Sequence, residues 1–108
     1  MQTPRRILIV EDDVFILGAL RELLDTEGYW VSTARNGQEA LDFLRASDQL
    51  PDLILLDLMM PIKDGRAFRA EQAAEPSLAT IPVVVMSADC AVETAKLGPG
   101  LRDFLRKP

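Results

Sequence analysis

The sequence predicts an α/β fold in which helices cover both faces of an open parallel sheet. Two kinds of segment alternate along the 108 residues: short runs of branched apolar residues, and longer stretches with apolar residues at helical spacing. Continuous apolar runs are typical of parallel strands that are buried on both faces. The order β-α-β-α-β-α-β-α-β therefore predicts an open parallel sheet, and the chain length fits a single domain, 1–108.

Five segments carry the strand pattern, and the last of them is the weakest. The third ends in Asp57, a carboxylate where the chain is otherwise apolar. Because a bare buried charge is costly, this residue must lie at a strand end, form a pair or bind a cation. The predicted strands are "RILIV" (6–10), "WVSTA" (30–34), "DLILLD" (52–57), "IPVVVMS" (81–87) and "RDFL" (102–105).

The first two helices have recognisable ends. The first follows Asp13 and can be closed by Gly28, because glycine readily takes the backbone conformation that ends a helix. The second opens with Asn36 as N-cap, and Glu39 stands three residues later in the capping-box position. The apolar residues that share one face of the first helix are Ile16, Leu20, Leu23 and Leu24.

Two further helices are predicted in the second half of the chain. The third starts near Asp64, runs to about Ala74 and is stopped by Pro76. The fourth is short, near Ala91 to Leu97, because the glycines and proline that follow break the helical pattern.

Composition excludes several classes of function. The formal net charge is −5, so there is no electrostatic footprint for nucleic acid or an anionic membrane surface. The apolar run before Glu11 is too short for a secretory signal, and no segment is long enough to span a membrane. A lone cysteine, Cys90, provides no disulfide framework. We therefore expect a cytoplasmic domain that binds neither nucleic acid nor membrane directly.

Polar residues stand where the predicted strands end. Glu11, Asp12 and Asp13 follow the first strand, and Asp57 ends the third. In open parallel sheets, ligands bind outside the carboxyl ends of the strands. These groups should therefore converge on one edge of the sheet, together with Ser87 at the end of the fourth strand and Lys107 after the fifth.

A crevice lined by carboxylates favours a divalent cation. Two like charges about 5 Å apart repel by roughly 3 kcal/mol at an effective dielectric constant of about 20. An all-oxygen site of two or three carboxylates is what Mg²⁺ prefers. The sequence has no histidine and one cysteine, which excludes ordinary zinc and copper sites. A carboxylate held beside Mg²⁺ is a competent nucleophile toward a phosphoryl group.

Each of these residues also has an ordinary structural interpretation. The acidic run 11–13 could stabilise a helix N-terminus, and Asp57 could belong to a turn or a cap. Ser87 could cap the following helix, and Lys107 could simply be solvated. The functional interpretation depends on all of these residues occurring together. The hydroxyl of Ser87 and the ammonium group of Lys107 could then hold phosphoryl oxygens beside the carboxylates.

Five blocks of the sequence resemble the successive motifs of the response-regulator receiver family of two-component signalling. The match is in order, correctly spaced and covers essentially the whole chain. The blocks are "RRILIVEDDVFI", "EGYWVSTARNGQEALDFL", "PDLILLDLMMPIKDG", "IPVVVMSA" and "DFLRKP".

The resemblance implies a doubly wound, flavodoxin-like fold with strand order 2-1-3-4-5. It implies a signalling switch rather than a turnover enzyme: a sensor histidine kinase or phosphotransfer protein passes a phosphoryl group from a phosphohistidine to Asp57, with Mg²⁺ required. Such a domain assists its own phosphorylation and dephosphorylation, and phosphorylation changes the surface of helix four and strand five.

The resemblance also assigns roles residue by residue. Glu11 and Asp12 match the acidic pair that holds Mg²⁺, and Asp13 is their variable neighbour. The metal set also includes Asp57 and the backbone carbonyl of Met59. The remaining matches are Ser87 as the switch hydroxyl, Phe104 as the aromatic that swings inward, and Lys107 as the partner of the acceptor, with a usually cis bond between Lys107 and Pro108.

The sequence departs from the family pattern in two places. The region between Ser87 and Lys107 is short, and the chain ends at Pro108, before the family's fifth helix. We therefore expect a receiver truncated after strand five, with any output domain beyond residue 108 and homodimer formation left open. The alternative is a degenerate receiver that acts as a phosphorylation-independent interaction module. An aspartate-nucleophile phosphatase is disfavoured, because Met59 stands where that class has a second aspartate.

Overall fold

The computed structural model describes residues 5–57 and 63–86, with Met86 described for its backbone alone. Strands and helices alternate as the sequence predicts, except that two helices follow the third strand. The elements are β1 (Arg6–Val10), α1 (Val14–Thr26), β2 (Trp30–Ala34), α2 (Gly37–Ala46), β3 (Leu53–Asp57), α3 (Gly65–Ala74), α4 (Pro76–Ala79) and β4 (Val83–Met86).

The four described strands form a parallel sheet in the order β2-β1-β3-β4. Since β1 and β3 lie side by side at the centre, the chain winds outward in both directions from β1. This confirms the predicted fold class over the described residues. The fifth strand (102–105), the helix at 91–97 and the expected lack of a fifth helix fall outside those residues.

Helices cover both faces of this sheet, as predicted. Because side chains alternate along a strand, each central strand contributes to two apolar clusters. One cluster lies under α1 and contains Ile7, Ile9, Leu20, Leu24, Leu53 and Leu55. The other lies under α2, α3 and α4 and contains Leu8, Val10, Ala34, Ala40, Leu41, Leu44, Ile54, Leu56, Phe68, Leu78 and Ile81.

The predicted helix ends are largely confirmed. Gly28 follows α1 with φ 92°, in the left-handed region where glycine carries no penalty. Asn36 caps α2 by accepting a hydrogen bond from the backbone N–H of Glu39 at 2.8 Å. Asp64 caps α3 in the same way, accepting from the N–H of Ala67 at 2.9 Å.

The prediction for Pro76 was only half right. α3 ends at Ala74, but Pro76 then begins the short helix α4. Proline is well placed there, since the first residue of a helix needs no N–H donor. The side-chain amide of Gln72, fully buried, donates to the carbonyls of Leu78 and Ile81 at 2.8 and 3.2 Å and so ties this turn to α3.

Two strand boundaries and one burial prediction are corrected. Ile81 belongs to the turn after α4, because its N–H bonds to the carbonyl of Leu78, and β4 therefore begins at Val83 rather than at residue 81. β3 begins at Leu53 rather than at residue 52. β2 is not buried on both faces: it is an edge strand of the described sheet, and Trp30 is 51% exposed.

Candidate functional site

Two neighbouring strands bring acidic residues to one edge of the sheet. Val10 of β1 pairs with Leu56 of β3, so the residues that follow them, Glu11 and Asp57, lie side by side. The backbone N–H of Glu11 donates to the carbonyl of Ala34 at 3.0 Å, which extends the pairing of β1 with β2 by one step. The backbone of this edge is therefore held by the sheet itself.

The carboxylates of Glu11, Asp12 and Asp57 form a compact cluster. One oxygen from each residue lies within 4.8 Å of the other two. Glu11 is 3% exposed and Asp57 is 6% exposed, whereas Asp12 is half-buried and opens the cluster toward solvent. The structure thus brings together the three acidic side chains that the sequence predicts as metal ligands.

The cluster is electrostatically crowded. Burial, a hydrogen bond with Asp57 and the negative charge of Asp57 raise the pKa of Glu11 from 4.5 to about 8. Glu11 also accepts a hydrogen bond from the backbone N–H of Asp13 at 3.3 Å, which favours its charged form and acts in the opposite direction. Without a cation, the surroundings of Glu11 therefore raise its pKa and favour its protonated form.

Asp13 plays a different part from its two neighbours. Its carboxylate caps α1, accepting hydrogen bonds from the backbone N–H groups of Phe15 and Ile16 at 2.9 and 3.2 Å. The structural interpretation of the acidic run is therefore correct for Asp13, while Glu11 and Asp12 face Asp57. Capping by Asp13 fixes the first turn of α1 directly beside the cluster.

The donor set fits a hard divalent cation. Carboxylate oxygens are the ligands that Mg²⁺, Mn²⁺ and Ca²⁺ take in proteins, and a partly open cluster leaves room for water or substrate oxygens. A dication at this position would replace the proton on Glu11 and remove the repulsion among the carboxylates.

The other predicted site residues lie outside the described part of the chain. They are Met59, Ser87, Phe104 and Lys107, together with the peptide bond between Lys107 and Pro108. Their roles stay predictions. In the described part of the chain, no helix is long and apolar enough to cross a membrane.

One contact between the start of α2 and the residues before α3 was not anticipated. The backbone N–H of Gly37, at the start of α2, donates to the carbonyl of Lys63 at 3.0 Å. The sequence signal was the Asn36–Gly37 pair, which we used only to predict a cap. This signal did not show that Lys63 packs against Gly37.

Sequence comparisons place the chain among signalling proteins. Residues 7–108 match the family model of the response regulator receiver domain. The response regulator MprA of Mycolicibacterium vanbaalenii is 39% identical over 107 residues, which cover 97% of this chain and 45% of MprA. The transcriptional regulatory protein PrrA of Mycobacterium tuberculosis is 38% identical over 108 residues, covering 98% of this chain and 45% of PrrA. The chain thus spans less than half the length of these relatives.

Solved structures agree with the sequence comparison. The phosphorylated cyanobacterial phytochrome response regulator RcpA has a TM-score of 0.74 and 34% identity, over 96% of this chain and 88% of RcpA. The Mn²⁺-bound form of response regulator Rcp1 has a TM-score of 0.70 and 32% identity, over 95% of this chain and 88% of Rcp1. Together with the sheet order and the acidic cluster, these matches show that the chain belongs to the response regulator receiver domain family, whose members are signalling switches of two-component systems rather than turnover enzymes.

Proposed function

We propose that this chain is a phosphoryl-accepting switch in which Asp57 receives a phosphoryl group from a histidine kinase phosphohistidine or a phosphotransfer protein. The observation that carries the proposal is the cluster of three carboxylates within 4.8 Å of one another at the carboxyl ends of β1 and β3. Such crowding costs stability, and it is useful where a cation and a phosphoryl group are to be bound.

Glu11, Asp12 and Asp57 would hold Mg²⁺, with the backbone carbonyl of Met59 added by the family resemblance. When bound, Mg²⁺ would offset the negative charge of these carboxylates and of the incoming phosphoryl oxygens. Two relatives support this assignment, because RcpA is phosphorylated and Rcp1 holds Mn²⁺.

The transfer needs one nucleophile and one leaving group. A carboxylate oxygen of Asp57 attacks phosphorus, the phosphorus–nitrogen bond to the donor histidine breaks, and its electron pair returns to the imidazole. The product is an acyl phosphate on Asp57. Lys107 and Ser87 would hold phosphoryl oxygens, and Phe104 would swing inward with Ser87. This movement would alter the surface of the helix predicted at 91–97 and the strand predicted at 102–105.

The same proposal extends to a longer protein, of which this receiver domain would form one part. MprA and PrrA are more than twice as long as the matched region, and PrrA is a transcriptional regulatory protein. We propose that an output domain beyond residue 108 reads the switch, while this domain binds no nucleic acid itself. A cytoplasmic location, a receiver domain that ends after strand five and homodimer formation stay predictions.

The test is phosphorylation by acetyl phosphate with Mg²⁺, followed by intact mass measurement. The wild type should gain one phosphoryl group that hydroxylamine removes, and Asp57→Asn should gain none. Asp52→Asn is the matched control, since it makes the same change at the other end of β3 and should label normally. Equal labelling of Asp57→Asn would remove Asp57 from the mechanism, and an unlabelled wild type would favour the phosphorylation-independent interaction module.

A further inference from the structure

A cavity of about 450 Å³ lies between the starts of β1 and β2 and the end of α2. This volume is in the range of pockets that hold small molecules. Arg6 and Trp30 pair at the first step of the β1–β2 ladder, roughly 16 Å along the strand from Glu11. The cavity is therefore separate from the acidic cluster. Six of the described lining residues define what we call the amino-edge cavity: Arg6, Trp30, Ser32, Phe43, Ser47 and Asp48.

The amino-edge cavity contains a guanidinium group that forms no ion pair with any described carboxylate. This group belongs to Arg6, which is partly buried, and it lies 4.3 Å from the centroid of the Trp30 ring. The bond between Arg6 and Asp52 is donated by the backbone N–H and does not involve the guanidinium. A guanidinium that lies over a ring keeps its N–H donors at its edge, where two of them can bind one carboxylate.

The rest of the lining suits an aromatic ring that carries a single negative charge. Trp30 is 51% exposed and Phe43 is partly buried, so both offer ring surface from which a planar ligand can exclude water. The hydroxyl groups of Ser32 and Ser47 can donate to a ligand oxygen. Asp48 adds a negative charge to the lining, which disfavours a phosphate dianion more than a carboxylate.

We propose that the amino-edge cavity is a binding site for a small planar aromatic carboxylate. Arg6 binds the carboxylate through its N–H donors, while the ring of the ligand packs against Trp30 and Phe43. The site lies at the opposite end of the strands from the proposed phosphoryl site and shares no residue with it. Ligand binding is therefore a second function of the domain, and it can be tested without phosphorylation.

The test uses naphthoate as the probe and its uncharged analogue naphthamide as the control, followed by NMR. Trp30 is the one tryptophan of the sequence, so its indole N–H gives a single resonance. We expect millimolar naphthoate to shift this resonance and that of the Ser32 amide. Naphthamide should bind at least about tenfold more weakly, because it lacks the charge that Arg6 pairs with. Naphthyl phosphate, a dianion above about pH 7, should also bind more weakly.

A matched pair of variants assigns the charge to Arg6. Arg6→Met keeps the aliphatic stem and should weaken naphthoate binding by about tenfold. Arg21→Met removes an exposed arginine from α1 and should bind naphthoate like the wild type. The comparison with naphthamide needs no variant, so the test holds even if Arg6→Met fails to fold.

Four results would overturn the inference. These are resonances that naphthoate does not move, naphthamide or naphthyl phosphate binding as tightly as naphthoate, wild-type affinity in Arg6→Met, and an equal loss of affinity in Arg21→Met. Each of them leaves the proposed function standing, because Mg²⁺ binding and labelling of Asp57 do not involve the amino-edge cavity.

Discussion

The two ends of β3 carry the same residue type in opposite environments. Asp52, just before the strand, is exposed and accepts a hydrogen bond from the backbone N–H of Arg6 at 2.8 Å. Asp57, at the other end, is 6% exposed and lies with Glu11 and Asp12. The guanidinium of Arg6 also stacks over the ring of Trp30, 4.3 Å from its centroid. At the amino end the described carboxylate accepts a backbone hydrogen bond and the guanidinium lies over a ring, while at the carboxyl end three carboxylates meet.

The difference follows from the direction of the strands. In a parallel sheet all carboxyl ends meet at one edge, so acidic residues after two adjacent strands must lie together. At the amino end, a carboxylate finds the N–H of a neighbouring strand, and the result is ordinary stabilisation. Crowded carboxylates at the carboxyl edge should lower the stability of the metal-free domain and form the proposed cation site. The predictions below test this contrast, from the largest expected effect to the smallest.

Mg²⁺ should stabilise the wild type and Asp52→Asn but not Asp57→Asn. A ligand at one hundred times its dissociation constant adds about 2.7 kcal/mol to the free energy of unfolding by mass action. A neutral amide in place of the Asp57 carboxylate would lower the ligand charge, so most of that gain should disappear. The gain in the free energy of unfolding is measured by urea unfolding with and without saturating Mg²⁺. A wild type indifferent to millimolar Mg²⁺ would contradict the metal site.

Without Mg²⁺, the same two substitutions should change stability in opposite directions. Above about pH 8, where the Glu11 carboxylate is charged, Asp57→Asn relieves repulsion and should raise the free energy of unfolding by about 2 kcal/mol, given roughly 3 kcal/mol per close pair of like charges. Asp52→Asn weakens one exposed hydrogen bond and should lower it by about 1 kcal/mol. Unfolding in a chelator gives both values. Destabilisation by Asp57→Asn would show that its carboxylate is structurally satisfied.

The metal-free domain should lose stability as the pH rises from about 4.5 to about 8. In this window the pKa of Glu11, raised to about 8, keeps a proton on the folded protein that the unfolded chain releases. The contribution is fully present below the unfolded pKa and is lost once the pH passes the folded value. Glu11→Gln should flatten this part of the profile, as measured by urea unfolding in chelator at several pH values. Parallel profiles for the two proteins would refute the prediction.

The smallest effect is expected at the amino end of the sheet. Arg6→Met keeps the aliphatic stem but removes the cation over Trp30, which should cost about 0.5–1 kcal/mol of unfolding free energy. Mg²⁺ affinity and labelling of Asp57 should not change, because the two ends of the strands are separate. A large loss of Mg²⁺ affinity in Arg6→Met would show that they are coupled.

Local pattern was sufficient to predict most elements of the fold. The first two strands match their predicted bounds, and Asn36 and Asp64 cap the helices that they were expected to begin. These features depend on neighbours in sequence. The errors arose where a tertiary contact decides, as at Ile81, whose carbonyl accepts a hydrogen bond from the buried side-chain amide of Gln72 in α3.

The sequence by itself determined the alternation of strands and helices and the acidic character of the strand ends, because hydrophobic periodicity and capping are local properties. Only the tertiary structure decided how the acidic run divides. Glu11 and Asp12 face Asp57, while Asp13 caps α1, since the turn after β1 directs the third carboxylate away from the first two. The seating of Lys63 against Gly37 was likewise invisible in the sequence, because it joins backbones twenty-six positions apart. Contacts of that range depend on which elements the completed sheet places side by side.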